Sequence, residues 1–196
     1  TTLSMTEENS KTLPLSNSTT KFTLSYIGVL EQLRNPEILW ETLNDLVQEN
    51  ADFKNDFQLK FVGRLDDKIL QKIESSPLKN NLTNLGYQTH DVALKHMQDS
   101  SVLLITNFPQ ESSKGIIPGK IFEYLATGKT ILSFGPKDAD VEKILNETKA
   151  GKHFGYDEKE NLKKFILESY ENWKSGTLNQ NAENIEQFSR KNLTQK

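Results

Sequence analysis

The sequence contains no cysteine, and that absence excludes disulfides, iron–sulfur clusters, thiolate zinc sites and cysteine nucleophiles together. A reducing compartment fits. Histidine is scarce as well: His90, His96 and His153 show neither the i, i+4 spacing of a helical metal site nor a companion cluster. No metal is expected, and each reads as a core or surface residue. No apolar run approaches the roughly 18 residues that span a bilayer, and the first residues lack the basic flank and apolar stretch of a signal peptide. A surplus of one charge is lacking too. With 24 basic and 27 acidic residues the net charge is −3, which supplies no overall electrostatic reason to bind nucleic acid or an anionic membrane. An anionic ligand has to be held locally. Neither Gly-x-Gly-x-x-Gly nor the full P-loop pattern Gly-x-x-x-x-Gly-Lys-Ser/Thr occurs, which argues against a dinucleotide site and a Walker-type NTPase.

What is present is enough for a core. Leu, Ile, Val and Phe make up 53 of 196 residues, above the roughly 20% at which disorder becomes the default, and the length favours one domain. Residues 1 to 21 carry Ser, Thr, Asn and Lys without periodicity and read as a linker or mobile arm. From Phe22 onward short apolar runs alternate with helical patterns. Phe22 to Gly28 reads as a strand, Pro36 to Gln48 as a helix, Phe57 to Gly63 as a strand, and Asp66 to Glu74 as a helix with its acids at the favourable end. Leu82 to Leu85 is a short strand ending at Gly86, after which Thr89 can cap a helix. Ser101 to Thr106 is the most continuously apolar run, the mark of a central parallel strand covered on both faces. A helix from Pro118 to Thr127 stopped by Gly128, the strand Thr130 to Phe134, helices at Val141 to Glu147 and Asn161 to Trp173, a weak strand at Lys152 to Gly155 and a last helix near 182–193 complete the series. Such alternation predicts an α/β, Rossmann-like, doubly wound, mostly parallel sheet of about six strands with helices on both faces.

In sheets of this kind ligands bind outside the carboxyl ends of the strands. Gly28 ends the first strand and leads through a short loop holding Arg34 to a helix begun by Pro36. A glycine lets a phosphate approach the backbone, and an arginine pairs with it bidentately. Ordinary turn chemistry with a surface arginine is the bland alternative. Lys120 and Glu123, spaced i, i+3 at the start of a helix, share a face and could serve a ligand's phosphate and sugar hydroxyls, or form an exposed ion pair. Trp40, Trp173 and Tyr124 read as packing residues, Lys163 and Lys164 as a solvated helix face, and Asp138 and Asp140 as helix caps.

The run from Lys114 to Leu132 carries more than spacing. It closely resembles the nucleotide-sugar-binding, C-terminal half of the GT-B glycosyltransferases, particularly the bacterial family 4 type, whose motif reads Ile-Pro-x-Lys-hydrophobic-Phe/Tyr-Glu/Asp-Tyr-Leu-Ala-x-Gly-Lys-Pro-Ile. Ile117, Pro118, Lys120, Phe122, Glu123, Tyr124, Leu125, Ala126, Gly128, Lys129 and Ile131 match it. Tyr26-Ile-Gly with Arg34 downstream, Phe61-Val-Gly, Leu85-Gly-Tyr and Ala150-Gly151 add to the likeness, which covers residues 22 to about 193.

The resemblance implies a donor nucleotide-sugar-binding domain spanning residues 22–196, one half of a GT-B fold, acting as a retaining hexosyltransferase in bacterial polysaccharide or glycoconjugate synthesis. It implies that Glu123 binds the ribose hydroxyls of a UDP or GDP donor, that Arg34, the Gly28 loop and Gly63 hold the pyrophosphate with Lys120 as a second ligand, and that the backbone at Tyr87 lines the base. Thr106 and the loop through Gly115, Ile116 and Ile117 would lie beside the sugar. Arg34 and Lys120 would stabilise the leaving group, with no metal and no cofactor besides the donor. Two departures stand out: the family's sugar-contacting glutamate, eight positions before Glu123, is here Gly115, and Arg34 is followed by Asn35, Pro36 and Glu37 instead of a second basic residue. The implied partners are the nucleotide sugar and, through an N-terminal domain outside this chain, a glycan or lipid-linked acceptor. The implied setting is the cytoplasm, extending to the inner face of the membrane. The chain alone is expected not to transfer sugar, and an exposed apolar strip is expected where the other domain would dock. The alternatives are a noncatalytic nucleotide- or partner-binding module and one subunit of a split transferase.

Overall fold

In a computed structural model residues 21–179 are described; all but the last residue of the expected arm, 1 to 21, and the expected last helix near 182–193 lie outside them. The chain runs β1 (Phe22–Ile27), α1 (Glu37–Glu49), α2 (Ala51–Asp56), β2 (Phe57–Val62), α3 (Asp67–Glu74), β3 (Leu82–Asn84), α4 (His90–Asp99), β4 (Val102–Thr106), α5 (Lys120–Thr127), β5 (Thr130–Phe134), α6 (Asp140–Thr148), β6 (Gly151–Phe154) and α7 (Lys159–Ser175). All strand pairs are parallel, in the order β3-β2-β1-β4-β5-β6. This is the expected doubly wound sheet. Its strand order reverses between β1 and β4, so the loops leaving those two strands diverge and open a crevice.

Alternation of side chains sorts the core into two layers. On one face Leu24, Tyr26, Leu59, Phe61, Leu104 and Phe134 meet the apolar stripes of α1, α3 and α7, with Phe53 of α2. On the other, Ile27, Val62, Leu103, Ile105 and Ile131 meet α4, α5 and α6. β4 is buried along its whole length, as its unbroken apolar run requires. The first layer is strongly aromatic. Phe53 and Phe57 stack at 4.8 Å, and Tyr170 meets Phe53 edge-on at 5.2 Å. Trp40, packed on Phe61 at 5.7 Å, and Trp173, 5.9 Å from Phe22, are packing residues as expected.

Several local expectations need correction. Helix α2 is not anticipated by the sequence, because six residues with one large apolar member carry no periodic stripe; Asn50 starts it by accepting the Phe53 amide at 3.1 Å. Asp66 caps α3 through the Lys68 amide, but Thr89, in the capping position of α4, makes no side-chain cap bond. Asp138 and Asp140 do not cap α6 either. Its N-cap is Ala139, Asp140 lies inside the first turn, and the Asp138 amide, at φ 60°, donates to Glu142. Helix α5 begins at Lys120, two residues after Pro118, and ends as expected at Gly128 in the left-handed conformation. Lys163 is more than a solvated residue, since it pairs with Glu49 at 2.6 Å and, with Lys159 on Asp45 at 3.1 Å, ties α7 to α1.

Candidate functional site

Three glycines end β1, β2 and the segment after β3, and they lie side by side. Gly28 donates its amide to Val62 at 2.7 Å and Gly63 donates to Gly86 at 2.8 Å, so the parallel ladder continues one step beyond the strands. All three have positive φ, at 120°, 126° and 66°, a region open to glycine and costly to other residues. A β-carbon on Gly63 would collide with the backbone of Gly28, and one on Gly28 would collide with the ammonium of Lys120. The carboxyl edge of the sheet is thus a floor stripped of side chains, bounded by two cations.

Lys120 comes from the first turn of α5. Its Nζ donates to the carbonyl of Ile27, the last residue of β1, and stands 5.6 Å from the Tyr26 ring. Burial lowers its pKa to about 8; the Arg34 charge pushes in the same direction and Glu123 opposes it. Glu123 is exposed one turn along the same helix. Lys120 and Glu123 therefore do not form an idle surface pair: the lysine turns inward over Gly28 while the carboxylate stays open to solvent.

Arg34 closes the other side. Its Nη2 donates to the Val29 carbonyl at 2.8 Å, its guanidinium lies over the Phe108 ring at 5.7 Å, and its buried Nε has no hydrogen-bond partner. Val29 also accepts from the Tyr26 hydroxyl at 2.9 Å. Both cations thus rest on backbone carbonyls at the end of β1 and in the loop that leaves it, and no carboxylate neutralises either one by direct contact among the described residues. That arrangement leaves positive charge available to an incoming anion at the positive end of α5.

The loop after β4 forms the facing wall. Thr106 ends the strand with its hydroxyl buried and unpartnered. Asn107 shapes the loop, its amide reaching the carbonyls of Ser113 at 3.3 Å and Ile116 at 3.1 Å. Gly115, Ile116 and Ile117 are exposed at its rim. Tyr87, next to Gly86, is 84% exposed, far more than an aromatic ring with a packing role. Of the six large apolar side chains exposed among the described residues, Val29, Leu33, Tyr87, Ile116 and Ile117 belong to loops at this carboxyl edge. The structure therefore gathers Gly28, Arg34, Gly63, Thr106, Lys120 and Glu123 around the crevice and sets Tyr87, Gly115, Ile116 and Ile117 along its margins.

Two tyrosines are assigned no site role by the sequence. Tyr124 is fully buried under the crevice, its hydroxyl 3.4 Å from the Ile27 amide and donating to the Leu104 carbonyl at 3.3 Å, so it bridges β1 and β4 where they part. Tyr156, just beyond β6, donates to Asn107 and lies 3.4 Å from the Arg34 carbonyl. Burial raises the pKa of both phenols well above the ordinary value, which keeps them protonated donors. A tyrosine one turn after Lys120 in the buried stripe of α5 is the sequence signal for the first; nothing near Tyr156 signals the second. The histidines stay apart. His153 is buried between Ser133 and the Pro136 carbonyl at 2.8 and 2.9 Å, His96 meets Lys60 at 3.3 Å, and His90 is exposed.

No family model matches the sequence, and no curated protein matches it. Solved structures do match the fold. The C-terminal domain of the glycosyl transferase group 1 family protein LpcC from Francisella tularensis superposes with a TM-score of 0.60 at 11% identity, covering 82% of this chain and 81% of that domain. WaaG, a glycosyltransferase involved in lipopolysaccharide biosynthesis, matches with a TM-score of 0.60 at 15% identity over 77% of this chain and 38% of its own. A TarM variant from S. aureus, solved with Fondaparinux, alpha-GlcNAc-glycerol and UDP, matches with a TM-score of 0.60 at 18% identity over 82% of this chain and 30% of its own. The chain has the Rossmann-like fold of a GT-B half-domain and spans about a third of the length of the larger enzymes it matches.

Proposed function

We propose that this chain is the donor-binding domain of a glycosyltransferase, taking a nucleoside diphosphate sugar at the crevice between β1 and β4. One observation carries the reading: Lys120 and Arg34 flank a floor of three side-chain-free residues, Gly28, Gly63 and Gly86, at the strand-order reversal. A diphosphate needs close backbone approach and two cations, and both are supplied there. Glu123, exposed beside Lys120, is placed to accept from ribose hydroxyls, while Tyr87 and the backbone after β3 border the space for the base. The rim of Gly115, Ile116 and Ile117 faces the sugar.

In this reading the chemistry assigned to the domain is stabilisation of the departing diphosphate. As the bond from the anomeric carbon to the phosphate oxygen breaks, negative charge gathers on the diphosphate, and Arg34, Lys120 and the amino end of α5 meet it with fixed positive charge. The retaining outcome, the hexose and a role in bacterial polysaccharide or glycoconjugate assembly rest on the motif resemblance. The exposed Val29, Leu33, Ile116 and Ile117 supply the apolar strip for a second domain carrying the acceptor site, and transfer then requires that domain. A solved relative in fold that holds UDP supports the ligand class.

Ligand-observed NMR tests this reading. Saturation of protein methyl signals should transfer to the ribose and base protons of UDP, GDP or ADP, and one of the three should compete the others away. Absence of transfer from all three, with the fold intact by circular dichroism, would contradict it and favour a module that binds a protein partner through its exposed apolar edge.

A further inference from the structure

Tyr156 lies outside the motif and two strands away from the crevice, yet its hydroxyl reaches both of the crevice's walls. It donates to the Asn107 carbonyl, in the loop leaving β4, and stands 3.4 Å from the Arg34 carbonyl, in the loop leaving β1. Its ring lies against Phe134 of β5 at 5.8 Å, so the residue arches over the end of β5 to get there. Both carbonyls belong to segments that carry the site. Arg34 places the guanidinium over Phe108, the residue after Asn107. Asn107 in turn fixes the carbonyls of Ser113 and Ile116, on the approach to α5 and Lys120. One hydroxyl thus meets two loops that diverge from neighbouring strands, beside the contact of the Arg34 guanidinium with the Phe108 ring that also links them.

We propose that Tyr156 is a positioning residue for the anion site: by bonding the Asn107 carbonyl while lying against the Arg34 carbonyl it sets the spacing of the walls between which a diphosphate binds, without touching the ligand. The inference rests on the donor-site reading for its ligand and on geometry alone for the positioning. Three features argue against a mere packing role. Ring packing against Phe134 would be satisfied by phenylalanine. The Arg34 Nε is buried without a partner, so the guanidinium is held at a cost that its own hydrogen bonds do not meet. Burial also keeps the Tyr156 phenol a donor throughout the working pH range.

Tyr156→Phe tests this, because it removes the hydroxyl and keeps the ring. Three quantities are measured on the full chain: the dissociation constant for inorganic pyrophosphate, the nitrogen-15 shift of the Arg34 Nε–H group without ligand, and the thermal midpoint. The expected result is affinity weakened about tenfold, the equivalent of one hydrogen bond, a moved Arg34 signal, and a midpoint within about 4 °C of the wild type. Unchanged affinity with an unmoved Arg34 signal overturns the proposal. So does a midpoint that falls together with affinity while the Arg34 signal stays in place, which would make the role purely structural. If the wild type binds no pyrophosphate, the positioning proposal is overturned, whereas the donor-site reading is decided separately by the nucleotides: binding of UDP, GDP or ADP keeps it, and binding of none ends it.

Discussion

The ammonium of Lys120 occupies the space that a β-carbon on residue 28 would fill, and it uses that place to donate to the carbonyl of Ile27. A glycine and a lysine 92 positions apart are therefore one structural unit: the strand can end at φ 120° and the cation can lie flat against the backbone only if residue 28 has no side chain.

Gly28→Ala consequently combines a backbone penalty with displacement of the lysine. Unfolding in urea should show a loss of about 1–3 kcal/mol from the disallowed backbone conformation, and anion affinity should fall at the same time. An alanine variant that retains both stability and affinity would mean that Lys120 has another resting place.

The other two glycines of the floor separate strain from collision. Gly86 has room for a methyl group, so Gly86→Ala should cost about 1–2 kcal/mol, the ordinary penalty of a left-handed residue. In Gly63→Ala the new carbon meets the Gly28 backbone, and the loss measured by denaturant unfolding should be clearly larger. Equal losses would contradict the close approach of the two strand ends.

Lys120 makes pH act in opposite directions on stability and on binding. Its pKa is about 8 in the folded chain against an ordinary 10.5. Between those values the unfolded chain holds the extra proton, so the contribution of this residue to stability rises with pH. Urea unfolding of wild type and Lys120→Met should show the difference between them shifting in favour of the wild type from pH 8 to 10.5. Anion affinity should instead decline above pH 8, approaching about tenfold per pH unit as the ammonium is lost, and Lys120→Gln should flatten that profile.

The aromatic layer offers a test of the fold itself. Phe53, fully buried in α2, is wedged among Phe22, Phe57 and Tyr170. Phe53→Ala should destabilise by about 3–5 kcal/mol with no change in ligand affinity beyond that loss, since the site lies at the other end of the sheet.

The parts of this molecule that are periodic are legible from residues alone. All six strands, the central place of Val102–Thr106 and the stop at Gly128 come from runs, alternation and one glycine. Helix α2 is not legible, because a single phenylalanine in a polar hexamer has no period and Asn50 acts only through its cap. Position at the carboxyl edge of the sheet is legible for residues at strand ends, where topology alone places Gly28, Gly63 and Thr106. Contacts are not. That Lys120 lies on Gly28, that Tyr124 bridges β1 and β4, and that Tyr156 reaches Asn107 depend on how distant loops fold over the sheet edge. The aspartates after Pro136 show the same limit: their residue type suggests caps, and the left-handed turn at Asp138 carries them elsewhere.

The central claim is that the crevice between β1 and β4 binds a nucleoside diphosphate through its cations and Glu123. Calorimetric titration of the chain with UDP, GDP and ADP, beside the same titrations of Glu123→Ala, tests it most directly. Saturable binding of one nucleotide, weakened about tenfold by the substitution as for the loss of a charge-assisted hydrogen bond, is the predicted result. Binding that Glu123→Ala leaves unchanged, or no heat from any of the three at millimolar ligand, would contradict it.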